Sequence, residues 1–168
     1  MSAALNSGGT QLALLAAISD GTGATETVAA AATPQVIADA LFTQRFNNTS
    51  GGLVWDPATG RATVTEPHGV GKYLVALTAG NTIGQNAAWH ELLLMAVQAG
   101  AAAAEVDCAR ARKLEPATAA QGGVPGTVFG VVVLSAVGDY VSPFVAVQTN
   151  GNAVVFRELN LMLQKIGN

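Results

Sequence analysis

Few side chains in this 168-residue sequence have the type and spacing for chemistry. There are two histidines, His68 and His90, and one cysteine, Cys108. His90-Glu91 opens like the helix of a zinc protease, but that chemistry needs a second histidine four positions after the first, and the residue there is Leu94. His68 and His90 with Glu66 and Glu91 would make a metal site only if the fold gathered all four. Two histidines with no third ligand class fall short of an ordinary zinc set. The simpler assignment is one turn histidine and one interface histidine. Glu105-Val106-Asp107 precede Cys108, and acidic neighbours raise a thiol's pKa, so a small buried or half-buried residue is expected there. A lone cysteine also excludes an internal disulfide framework. Neither Thr49-Ser50-Gly51 nor Leu134-Ser135-Ala136 is a nucleophile elbow. Asp20-Gly21-Thr22-Gly23-Ala24 lacks the third glycine and the preceding strand of a dinucleotide fingerprint. Asp56 and Asp139 fall in turns, where carboxylates accept backbone hydrogen bonds. No catalytic residue, cofactor or metal is assigned, and the chain reads as non-enzymatic.

The remaining large side chains read as packing groups. Trp55, between Gly51-Gly52-Leu53-Val54 and Asp56-Pro57, is expected to cover one end of a core, with carbohydrate stacking as the alternative. Trp89 beside an apolar strand reads as a core or subunit-contact anchor. The full set assigned to core or subunit contact is Trp55, Tyr73, Trp89, Leu92, Leu94, Phe129, Tyr140, Phe144, Phe156 and Leu161.

The elements that must carry these groups are mostly short strands. Half the residues are hydrophobic and 11% are charged, against about 25% in an average soluble domain. That deficit suggests a surface largely covered by other protein. Net charge is −3 with no basic cluster, so nucleic acid and membrane are not expected partners. The first residues lack the basic start and long apolar core of a signal peptide, which points to synthesis and retention in a host cytoplasm until assembly. Met1 to Ala32, rich in Ala, Gly, Ser and Thr, reads as an N-terminal arm. Within it Leu12 to Ile18 is either a two-turn helix or half of a hairpin returning over Thr25 to Ala31. Thr33-Pro34 offers a helix start of one or two turns.

From residue 33 to 168 the pattern predicts one all-β, two-sheet jelly-roll sandwich. Strands are expected at Arg61–Thr65, at Lys72–Leu77 before an Ala79-Gly80-Asn81 turn, at Leu92–Gln98 and at Thr127–Leu134. Leu92–Gln98 is apolar on both faces and therefore central or at an interface. Ala104–Lys113 reads as a strand with a bulge near Cys108-Ala109, or as a helix. Leu114–Gly126 reads as a long loop. Pro143 places the strand Tyr140–Gln148 at an edge or bulge. Asn150-Gly151 signals a hairpin leading into Val154-Val155-Phe156, and the last strand sets Leu159, Leu161 and Leu163 on one side.

Trp55-Asp56-Pro57-Ala58-Thr59-Gly60-Arg61, then Pro67, then Gly71-Lys72-Tyr73-Leu74-Val75 carry a resemblance. The stretch from Phe46 to Leu77 resembles the opening of the tumour necrosis factor and complement globular-head jelly rolls. Leu134-Ser135-Ala136-Val137-Gly138-Asp139-Tyr140-Val141 is similar to a later turn-and-strand of that superfamily, and Phe156 to Ile166 to its closing strand. His68-Gly69-Val70 departs from the pattern as an insertion, and Asn81 to Gly126 carries no matching motif. The resemblance implies a ten-strand jelly roll that associates through apolar strand faces, as a homotrimer or else a dimer. With this composition, the nearest look-alikes are decoration, cement and fibre-head proteins of tailed bacteriophages, an analogy of fold. The expected function is a capsid cement or decoration subunit on the virion surface, binding the major capsid protein. The alternative is a receptor-binding head of a tail fibre or spike.

Overall fold

A computed structural model of the chain describes residues 13–18, 24–28, 32–83, 89–97, 102, 104–114, 126–148 and 152–168. Among the described residues, twelve strands form two antiparallel sheets. They are β1 (Ala13–Ile18), β2 (Ala24–Val28), β3 (Gln35–Val36), β4 (Thr43–Asn47), β5 (Leu53–Asp56) and β6 (Arg61–Val64), followed by β7 (Gly71–Ile83), β8 (Trp89–Val97), β9 (Ala104–Leu114), β10 (Gly126–Leu134), β11 (Tyr140–Val147) and β12 (Asn152–Gly167). The first sheet runs β10-β7-β12-β1-β4, with β2 also on β12; the second runs β5-β6-β11-β8-β9, with β3 also on β11. The expected jelly-roll sandwich is what the chain forms.

Alternation fills the space between the sheets. Tyr73, Val75, Leu77 and Ala79 of β7 and Val128, Val132 and Leu134 of β10 point inward, and Val141, Val145 and Val147 of β11 meet them from the other sheet. β12 keeps this up for 16 residues by changing phase once. Val154 and Phe156 are buried on one parity and Leu159, Leu161 and Leu163 on the other. The register against β7 slips between Phe156 and Glu158, so a bulge at Arg157 returns the leucines to the core.

Several expectations are corrected. The supposed arm contributes two strands. β1 is paired on both sides, to β12 and β4, and its Leu14 and Ala16 are fully buried. Small residues hide this strand in the sequence, because Ala13, Ala16 and Ala17 give the alternation around Leu14 little hydrophobic contrast. β1 and β2 do not form a hairpin with each other; both lie along β12, at Leu159–Gln164 and at Asn152–Phe156. Residues 1–12 lie outside the described residues. Thr33-Pro34 starts no helix: Gln35-Val36 pair with Phe144-Val145, and the Ile37 N–H donates to the Pro143 carbonyl. Gly80 and Asn81 do not turn the chain but continue β7 opposite Glu158 and Phe156. β11 lies inside its sheet, with β6 and β3 on one side and β8 on the other. Pro143 is tolerated because the side on which its carbonyl accepts, and on which its N–H would have pointed, is the gap between β6 and β3. β11 and β12 belong to different sheets, so the Asn150-Gly151 signal joins no hairpin; the dipeptide itself lies outside the described residues.

Other expectations hold. β8 is central, between β11 and β9, with Leu93 and Leu94 both buried. Ala104–Leu114 is strand rather than helix. Its register against β8 jumps from Leu93↔Arg110 to Met95↔Glu105, so two steps on β8 face five on β9, around the predicted bulge. Of the expected loop Leu114–Gly126, both end residues are strand, and 115–125 lie outside the described residues.

Candidate assembly surface

The structure places the proposed packing residues unequally. Tyr73, Leu94, Phe156 and Leu161 are fully buried in the core, and Trp55 nearly so. Trp55 meets Phe42 edge-on, ring centroids 4.5 Å apart, and its Nε1–H donates to the Phe42 carbonyl oxygen at 2.5 Å. Its indole therefore closes the core and is unavailable for stacking on a sugar. Tyr140 and Phe144 are half-buried on the outer side of β11, where Arg61 lies 4.2 Å over the Tyr140 ring. Trp89 and Leu92 are in β8, and their side chains lie outside the described residues. Among the described side chains of the set, Phe129 alone stands out into solvent, at 63% exposure.

Of the two histidines, His90 is in β8 and its side chain lies outside the described residues. His68 sits in the short turn Pro67–Gly69, its Nε2 2.9 Å from the Thr49 carbonyl oxygen. Among the described residues no three His, Cys, Asp or Glu side chains gather as a metal site. His68-Gly69-Val70, the insertion, clamps the end of the sandwich. The Tyr73 hydroxyl donates to the Gly69 carbonyl at 2.5 Å, and the Lys165 ammonium donates to the His68 carbonyl at 2.9 Å. Burial pushes the Tyr73 phenol up to about 12. The turn carboxylates act as expected. Asp56 accepts from the Thr59 hydroxyl and the Ala58 N–H, and these bonds hold its pKa below the usual value. Asp139 accepts from the Ser135 and Ala136 N–H groups.

The surface that stands out is the outer face of the first sheet. Cross-strand partners share a face, and the register lines up Phe129 (β10), Ala76 (β7), Met162 (β12), Leu15 (β1) and Phe46 (β4) in one transverse row. The row crosses four strand spacings of about 4.8 Å, roughly 19 Å. Val131 and Val133 extend it along β10, and Leu74 lies beside Val131. On one side the belt ends in a polar row of Thr127, Thr78 and Asn160; on the other, Lys72 stands opposite Val133. At the β4 end the row encloses a hollow of about 290 Å³ lined by Ala13, Leu14, Leu15, Phe46, Met162 and Gln164. An exposed apolar patch with a polar rim marks an interaction surface.

Of the residues on this face the set assigned from sequence contains Phe129; Leu15, Phe46, Val131 and Met162 are outside it. The signal was present: Thr127–Leu134 is apolar on both parities, so one parity had to face outward. Met162 breaks a leucine alternation with a second apolar residue.

Searches for relatives bear on the fold. No family model and no curated protein sequence matches the chain. Solved structures do. Eiger TNF from S. frugiperda superimposes with a TM-score of 0.57 at 12% identity, over 94% of each chain. The fold is a jelly roll like that of the TNF and C1q heads. Murine APRIL at pH 5.0 gives 0.56 at 10% identity, over 93% of this chain and 99% of the other. The globular domain of zebrafish complement 1qA gives 0.53 at 14%, over 94% and 99%. At these identities the likeness is one of fold.

Proposed function

We propose that this chain is a virion structural subunit. It assembles with copies of itself through the outer face of its first sheet, as a homotrimer or else a dimer. The assembly decorates a bacteriophage head, bridging major capsid protein subunits at the virion surface. The observation that carries self-assembly is the uncharged row Phe129–Ala76–Met162–Leu15–Phe46, in a chain where only 11% of residues are charged. The low charge, the Ala- and Gly-rich composition and the jelly-roll head support the capsid reading.

The first test is native mass by light scattering over a wide concentration range. A stable oligomer is expected, and Phe46→Glu, which places a charge in the row, should shift it toward monomer. A wild-type monomer at all concentrations refutes assembly. Co-sedimentation with undecorated, expanded phage heads tests the second half. Binding to a glycan array with no binding to heads would assign the chain to a tail-fibre head instead.

A further inference from the structure

The apolar belt is uneven, and its two ends differ in shape. At one end Phe129 projects from β10, a terminal strand of the sheet, and is the most exposed large apolar side chain among the described residues. At the other end Leu15, Phe46 and Met162 wall the hollow of about 290 Å³ over the buried Leu14. An apolar cavity of about 150 Å³ accepts a benzene ring, so this open hollow has room for a phenylalanine side chain. The chain's own Phe129 cannot fill it. In the transverse row, β10 is separated from β12 and β1 by β7, a gap of two to three strand spacings, about 10–14 Å.

We infer that Phe129 of one copy seats in the Leu15–Phe46–Met162 hollow of a neighbouring copy. This rests on the assembly reading above and deepens it by assigning which parts of the face meet. A second copy is the fitting occupant because one face supplies both halves of the contact. Between knob and socket lies the small, half-buried Ala76, so nothing bulky holds two faces apart. No charged side chain stands in the row, so identical copies bring no like charges together there. Each copy carries one knob and one socket, and the set closes as a reciprocal pair or as a ring.

The test leaves Phe129 and the apolar walls of the socket intact. In a Cys108→Ser background, Val131→Cys marks the strand beside the knob and Gln164→Cys marks the rim of the socket. The two single variants are co-expressed with different tags and treated with a short bis-maleimide. Crosslinks are expected only between unlike chains, and the double variant should link into a closed set whose size counts the copies. Val131→Cys chains linking to one another, or Gln164→Cys chains doing so, overturn the pairing. So does the absence of any link in a preparation that light scattering shows to be oligomeric. A monomeric wild type overturns the assembly reading itself, and the pairing with it. As a second measure, Leu15→Trp fills the socket from within and should weaken association by about tenfold or more, the loss of one buried anchor. Unchanged association of a folded Leu15→Trp chain counts against the socket.

Discussion

Leu161 and Met162 are adjacent in β12 and face opposite ways, so truncating each in turn separates the core from the outer face. Leu161 is fully buried, with Leu77 of β7 and Ala16 of β1 as its cross-strand partners. Replacing a core leucine by alanine costs about 2.7–5.0 kcal/mol, rising with the cavity that survives. Here β12 is held by ladders on both sides, and Ala16 is too small to lean into the gap, so Leu161→Ala should fall in the upper part, about 4 kcal/mol. For a chain of this length that lowers Tm by roughly 8–16 °C. Met162 is 37% exposed. Met162→Ala should change unfolding of the dissociated chain by less than about 1 kcal/mol, while weakening association. The assay is urea unfolding at several protein concentrations, extrapolated to dilution so that assembly does not contribute. A loss below about 1.5 kcal/mol for Leu161→Ala, or equal losses for the two variants at dilution, would refute the assigned faces of β12.

Two further outcomes follow from the clamp at the end of the sandwich. The Tyr73 phenol is raised in the folded state, so its contribution to stability is complete below pH 10 and is lost as pH rises toward about 12. Tyr73→Phe should flatten that alkaline decline, read as Tm against pH; an unchanged slope would place the phenol in water. A Cβ on Gly69 would lie 1.9 Å from the Gly52 carbonyl oxygen, with no flexible side chain to give way. Gly69→Ala should therefore cost about 1–3 kcal/mol or more, and a neutral result in urea unfolding would mean the two loops do not touch.

Much of the fold was legible because alternation is a strong signal where one face is wet. β6, β8, β10 and the leucines of β12 lie where pattern alone set them. Where pattern and structure part over turns, long-range pairing overrides local turn composition. Gly80-Asn81 and Asn150-Gly151 both carry turn composition, yet Gly80-Asn81 is held extended by β12, and the strands either side of Asn150-Gly151 belong to different sheets. Pro143 argued for an edge, and only the placement of the two-residue β3 explains how an interior strand accepts it. The candidate surface was half legible. Its exposed phenylalanine was named from residue type, whereas the row requires the register of five strands, most of them far apart in sequence.

The position of β12 in the first sheet also sets the order in which the molecule can be made. It is synthesised after β1, β2 and β7, all of which pair with it, and β1 and β7 are neighbours of nothing in common until it arrives. Before then β10 can pair with β7, and β4 with β1, but the two fragments have no shared strand to join them. Closing the sheet brings Ala13 opposite Gln164 across almost the whole sequence. Contacts of such separation make folding slow, and a nascent chain can make this one only after Gln164 has left the ribosome. Chains cut short before β12 would lack the middle of the sheet, and with it the face that other copies would grip. Only a chain that already includes β12 could then enter an assembly, a selection exercised by topology rather than by any separate proofreading step.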